Sequence, residues 1–247
     1  MGSVAQKRIT LFLHREGGCI YGKSGCMFGL TDVDPLKCHD FFGVRNLATV
    51  QDLFNCRVHL GHKVGVRDPY MLPFLFGTRL GVDIIDLEQT YLFLSDALNF
   101  LAHIAFRGGI VLFISRHVQT VPLVERTALE CGEYAYCPVW RYGTFTDCTS
   151  KFGAVTRLPD TVVFVSTLNN VFETHEAVVE TAKMNIPSIG VVDSNCDPRL
   201  ITYPIPGNDD TPCAIELYCR LFKEAIVCGK AKAKELQSSS SVQNQES

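Results

Sequence analysis

From about Asn46 to Cys228 the chain alternates short, unbroken apolar runs with longer stretches of helical period, and few folds accept that pattern. The runs are Val82 to Ile85, Ile110 to Ile114, Thr161 to Val165 and Ser188 to Val192. Apolar residues without alternation suit strands covered on both faces, and crossover helices provide the covering layers. After the first run, Leu87, Tyr91, Leu94, Leu98, Leu101 and Ala105 recur every three or four residues, which places them on one side of a helix with Asp86 at its N-cap. Asn170 followed by Glu173 has the form of a capping box for a second helix, whose inner face would carry His175, Val178, Val179 and Ala182. Ala214, Leu217, Tyr218, Leu221 and Ala225 mark a third. The expected fold is α/β, a doubly wound parallel sheet flanked by helices, in one domain without internal repeats.

The two ends read differently from this centre. Residues 1–45 form an N-terminal extension, and its first fifteen residues hold Lys7, Arg8 and Arg15 with no acid before Glu16, as part of a mitochondrial presequence would. Residues 229–247 close on SSSSVQNQES and are expected to be a polar, disordered tail. No apolar run approaches the ~18 to 20 residues of a bilayer-spanning helix, so no membrane partner is expected. The eleven cysteines are scattered and include no CxxC pair, which suggests free, mostly buried thiols in a reducing compartment. The formal charge is −3, with positive excess at both ends and an acidic centre. RNA contact therefore requires local patches, because a broad basic surface is absent.

Several enzyme-like patterns are present and each has a plainer reading. Gly17 to Ser24 satisfies the phosphate-loop pattern GxxxxGK[ST], which would make the chain an ATP- or GTP-binding protein. Such a loop must open a helix, yet Gly25 and Gly29 follow it, and two glycines cost about 2 kcal/mol of helix propensity. The match is expected to be fortuitous. Ile114 is followed by Ser115, Arg116 and His117 rather than a GxGxxG turn, so no nicotinamide or flavin cofactor is expected. His59 and His62 lack the glutamate and helical setting of HExxH, and metal binding is not expected of them. Asp209 and Asp210 stand just before the third helix, where acids cap the helix and oppose its dipole. No GxSxG elbow accompanies the serines, so no catalytic residue, cofactor or small-molecule substrate is assigned.

A resemblance runs through most of the centre. It is carried by His59-Leu60-Gly61-His62-Lys63, Arg67-Asp68-Pro69-Tyr70-Met71, Pro73 to Arg79, Asp83 to Thr90, Leu158-Pro159-Asp160, Asn185-Ile186-Pro187, Val192 to Pro198 and Ile205-Pro206-Gly207-Asn208-Asp209-Asp210. On these motifs the chain resembles the universal ribosomal small-subunit protein 2 family. The resemblance implies a flavodoxin-like α/β fold and a structural, non-catalytic role. Family members lie on the solvent side of the small subunit, touching small-subunit rRNA and neighbouring ribosomal proteins. The Pro-Gly-Asn-Asp-Asp form is similar to the bacterial and organellar branch. Asn169-Asn170 with Phe172-Glu173, Ala182 to Asn185 and Leu217 to Phe222 resemble animal mitochondrial members, which implies the matrix and the mitochondrial small subunit.

Two departures from the family pattern matter. Bacterial members carry a long helical hairpin where only a short link joins Asp147 to Leu158 here. The family's Arg-Trp-x-Gly-Gly-x-Leu-Thr-Asn segment is represented by Val139-Trp140-Arg141-Tyr142-Gly143-Thr144-Phe145-Thr146-Asp147, which lacks one glycine and the asparagine. For RNA contact the best candidates lie between Arg45 and Arg79, where Arg45, Arg57, Lys63, Arg67 and Arg79 face only Asp52 and Asp68. Their cations would engage phosphates, while His59, His62 and Tyr70 would hydrogen-bond sugars or stack on bases. Arg116 and Arg141 are further candidates.

Overall fold

A computed structural model describes Pro35, residues 40–153 and residues 156–243. The phosphate-loop match from Gly17 to Ser24 and the presequence-like residues 1–15 lie outside them. After a 3-10 turn at Val44–Leu47 comes helix α1 (Val50–Asn55), opened by a reciprocal capping box between Thr49 and Asp52. Strands β1 (Leu60–Lys63), β2 (Leu75–Arg79) and β3 (Val82–Ile85) follow and form an antiparallel sheet in the order β1-β3-β2. Val82 to Ile85 is thus a strand, as expected, but it belongs to this small sheet and not to the parallel one. The reason is local. Leu80 and Gly81 both take positive φ (53° and 76°), the two-residue turn that folds β2 straight back onto β3. Parallel pairing would need a long crossover in its place.

The parallel sheet is built from β4 (Val111–Ile114), β5 (Tyr134–Tyr136), β6 (Thr161–Phe164), β7 (Ser188–Val192) and β8 (Tyr203–Pro206). Its spatial order is β5-β4-β6-β7-β8, which is the 2-1-3-4-5 order of flavodoxin-like domains. The three central strands are the apolar runs of the sequence, and each is buried along its whole length. The edge strands had no such signal. Strand β5 has three half-buried residues, and β8 contains Pro204 and Pro206, which only an edge tolerates.

Alternate residues of the sheet feed two cores. Val111, Phe113, Val163 and Ile189 face helices α2 (Leu87–Phe106), α3 (Val121–Cys131) and α6 (Pro212–Gln243). Leu112, Ile114, Val162, Phe164 and Val192 face the other way, onto Trp140, Phe145 and Val178 of helix α5 (Glu176–Lys183). The short helix α4 (Cys148–Phe152) is joined to β6 by residues 153–160, which leaves no room for a helical hairpin. Asp86 caps α2 by accepting from the Glu88 amide at 3.0 Å, as expected. In α6, Ala214, Leu217, Tyr218, Leu221 and Ala225 are all buried. No helix among the described residues is long and apolar enough to cross a membrane.

Three expectations are corrected. The N-cap of α5 is His175, whose Nδ1 accepts from the Ala177 amide at 3.1 Å. Asn170 and Glu173 bond to each other one loop earlier, because the Leu168–Thr174 bridge pinches that segment off before the helix starts. The domain also extends past both drawn boundaries. Phe42 and Val44 are buried in the first core, and α6 continues beyond Cys228 to Gln243, with good helix formers only from Lys230 to Gln237. There Lys230 donates to the Cys131 carbonyl at 2.7 Å, at the end of α3, and Lys232 donates to the Phe41 carbonyl. Finally, Asp209 and Asp210 do not cap α6, and the turn before it is shaped by Asn208, whose Oδ1 accepts from the Asp210 and Thr211 amides at 2.8 and 3.2 Å.

Candidate functional site

Loops that follow parallel strands converge at the carboxyl edge of the sheet. Here Ser115 and His117 follow β4, Ser166 follows β6, Asp193 follows β7 and Asp209 and Asp210 follow β8. Ser166 donates to Asp209 at 2.9 Å, and His117 Nε2 lies 3.1 Å from the Ser166 hydroxyl. Strand β1 crosses this edge and delivers His62. It is tied down by the His62 amide, which donates to Ser194 Oγ at 2.8 Å. A Cβ at Gly61 would stand 2.9 Å from the same oxygen, so only glycine permits the approach.

The imidazole of His62 lies between two carboxylates, with Nδ1 3.1 Å from Asp193 and Nε2 3.2 Å from Asp210. Asp193, then Asp210, push its pKa up to about 10 against the opposing effect of burial. Asp210 is held below its usual range mainly by His62. Asp209 is pushed up to about 7, first by burial and then by the charge of Asp193. His62, Asp193 and Asp210 line a cavity of about 280 Å³ whose walls include Leu60, Lys63 and Val82. Sequence reading treated these acids separately. The signal that unites them is positional, since each stands directly after a strand of the parallel sheet or on the strand that crosses it.

The ten RNA-contact candidates fall into separate groups. Lys63 and Arg79 are both exposed and both register opposite Val82, so they flank one position of the β1-β3-β2 sheet. Arg57 is exposed just before β1, and Arg45 is exposed in the turn before α1, where its carbonyl accepts from Tyr91. Arg67 turns inward to the fully buried Asp83, with Nε donating at 2.8 Å and Nη2 closing the pair. Asp83 lies outside the segment from Arg45 to Arg79, which is why sequence counting left Arg67 uncompensated. His59 stacks on Phe54 at 4.6 Å, and Arg199 covers one face of Tyr70 at 3.6 Å. His62 is held by its aspartates. Arg116 follows β4 and Arg141 lies between β5 and α4, both outside the small sheet.

The altered segment around Arg141 has its own anchor. The buried carboxylate of Glu180 accepts from the Gly143 amide at 2.6 Å and from the Phe145 amide at 2.9 Å. Trp140 packs edge-on against Phe145 beneath it, with ring centroids 4.9 Å apart.

Comparison with known proteins places this architecture. The family model described as ribosomal protein S2 matches residues 53–152 and 148–229. The small ribosomal subunit protein uS2m of Bos taurus is 56% identical over 204 residues, covering 83% of this chain and 70% of its own length. The small ribosomal subunit protein uS2 of Nitratiruptor is 31% identical over 227 residues, covering 74% of this chain and 84% of its own. That of Neorickettsia sennetsu is 32% identical over 224 residues, covering 73% and 74%. In both bacterial alignments the aligned length exceeds the part of this chain that it includes, so those relatives carry residues that this chain lacks. With the family match spanning most of the chain and the sheet in flavodoxin-like order, the chain belongs to the ribosomal protein S2 family.

Proposed function

We propose that this chain is a structural constituent of the mitochondrial small ribosomal subunit, working in translation by binding and not by catalysis. The observation that carries this reading is the 56% identity to the bovine mitochondrial protein across most of both chains. The fold supports it, because the carboxyl edge of the sheet, where flavodoxin-like domains take their ligands, is closed by β1 and by carboxylates that would repel a phosphate.

Binding to small-subunit rRNA falls to the exposed cations Arg57, Lys63 and Arg79, with Arg45, Arg116 and Arg141 as separate contacts. Arg67 serves the fold through Asp83, and Tyr70 offers one ring face for stacking. Neighbouring ribosomal proteins would cover apolar side chains such as Phe76 and Leu80, which are 80% and 95% exposed on the β2-β3 hairpin. Replacing Arg57, Lys63 and Arg79 together by glutamine is expected to reduce incorporation into the small subunit while the melting temperature stays unchanged. Wild-type incorporation of that folded variant would remove the patch from the account.

A further inference from the structure

Among the described cysteines only Cys213 is exposed, and it stands in the first turn of α6, directly after Pro212. Cys56 closes α1 and is half-buried against the first core. The two segments are far apart in sequence and are clamped together by Asn208. Its side-chain amide donates to the Arg57 carbonyl at 3.3 Å and to Thr211 Oγ1 at 2.8 Å, while its backbone N–H donates to the Val58 carbonyl at 3.1 Å. One side chain thus holds the residue after Cys56 and the residue two before Cys213.

That clamp brings the two thiols together. Partial burial, and then a side-chain hydrogen bond with Cys213, push the Cys56 thiol up to about 11. Arg220, two turns along α6 from Cys213, favours the Cys56 thiolate, and Asp52 opposes it. The other described cysteines are committed elsewhere. Cys131, Cys196 and Cys219 are buried, and the Cys228 thiol donates to the Phe42 carbonyl at 3.3 Å. Cys137 and Cys219 interact by charge alone, with Cys219 deep in the first core.

We propose that Cys56 and Cys213 are a site of reversible disulfide formation, a covalent link between the end of α1 and the start of α6 made by hydrogen peroxide. The Cys213 sulfur, as thiolate, attacks one peroxide oxygen. The O–O bond breaks, and the leaving hydroxide takes up the thiol's proton as water, which leaves a sulfenic acid on Cys213. The Cys56 sulfur then attacks the Cys213 sulfur, the S–O bond breaks, and the departing hydroxide leaves with the Cys56 proton as a second water. Two thiols lose two electrons, and one peroxide gains them. Position sets the order, because peroxide meets the exposed Cys213 first. Arg57 follows Cys56 directly at a φ of 60°, so the link would fix the backbone that presents this exposed cation.

The site is a property of the fold and does not rest on the ribosomal reading. Its test uses the purified, reduced, full-length chain, treated with hydrogen peroxide, alkylated and digested with trypsin without reduction. A peptide pair joining residues 46–57 to residues 200–220 is expected, two hydrogens lighter than its separate thiol peptides and released by dithiothreitol. Residues 200–220 also contain Cys219, so fragmentation must place the bond at Cys213. Cys213→Ser alters an exposed side chain and is expected to slow the loss of the free Cys56 thiol by more than about tenfold. A native disulfide from either residue to a different cysteine would overturn the proposal. So would oxidation of Cys213 to sulfinic acid with Cys56 still free, or a yield of the pair no higher in buffer than in urea, where the clamp is gone.

Discussion

Replacing Glu180 by alanine should loosen one loop by a calculable amount. The carboxylate holds the Gly143 and Phe145 amides at 2.6 and 2.9 Å from a side chain that is 3% exposed. A buried donor stripped of its partner costs about 1–3 kcal/mol. The Phe145 amide is fully enclosed and should incur the upper part of that range, while the partly buried Gly143 amide can turn to water and should incur the lower. The sum is about 3–4 kcal/mol, or a melting temperature lowered by roughly 6–16 °C for a domain of this size. The chain has a single tryptophan, Trp140, which packs on Phe145, so its emission reports this loop and no other part of the molecule. Urea unfolding followed by Trp140 emission and by circular dichroism gives both the energy and its location. A loss below about 1 kcal/mol, or a native emission maximum identical to wild type, would refute the claim that Glu180 anchors the segment.

Other consequences follow from buried groups. His175 is held down to about 4, first by burial and then by Arg116, while the unfolded chain protonates near 6.5. Its contribution is present above pH 6.5 and is lost as pH falls toward 4, by about 3 kcal/mol. His175→Asn keeps a capping acceptor and should show a shallower loss of stability over that interval, and an identical pH slope would exclude this origin. Cys131, Cys137 and Cys219 are pushed up to about 12 mainly by burial, so the stability they confer is complete below pH 9 and fades as pH rises toward 12. Native-state alkylation at pH 8 should label the exposed Cys213 and spare these three, and rapid labelling of Cys219 would contradict its placement in the core. Gly207→Ala should cost about 1–3 kcal/mol because its Cβ meets the Tyr218 hydroxyl. Tyr218→Phe should recover part of that loss in the double variant, and no recovery would mean that Val58, also within 3.1 Å, is the obstacle.

The sequence announced the parallel sheet because its central strands are covered on both faces and therefore carry continuous apolar runs, as Ile110 to Ile114 and Thr161 to Val165 do. It announced α2 and α6 because each presents one buried face to the same core. The edge strands were illegible for the complementary reason. Three half-buried residues at Tyr134–Tyr136 and a proline-broken β8 leave no run to read. The sheet that owns Val82 to Ile85 was decided by the backbone at Leu80 and Gly81, and a leucine at positive φ has no sequence signature. Cap assignments failed at Asn170, because an acceptable capping side chain stood a few residues before the true cap, His175, and at Asp209 and Asp210, because folding commits those carboxylates to Ser166 and His62.

The site divides in the same way. Exposure of Arg57, Lys63 and Arg79 agrees with their spacing in a segment poor in acids. The commitments of Arg67 to Asp83, His59 to Phe54 and Tyr70 to Arg199 depend on partners brought in by folding. The His62 cluster joins β1 to residues more than 130 positions away, a distance that local pattern cannot bridge.

The central claim is that the chain is a part of the mitochondrial small ribosomal subunit, and the most direct test is sedimentation of a tagged copy from mitochondrial lysate. The account predicts co-migration with small-subunit rRNA, lost after RNase treatment. Migration as free protein, with a second tag position giving the same result, would contradict it.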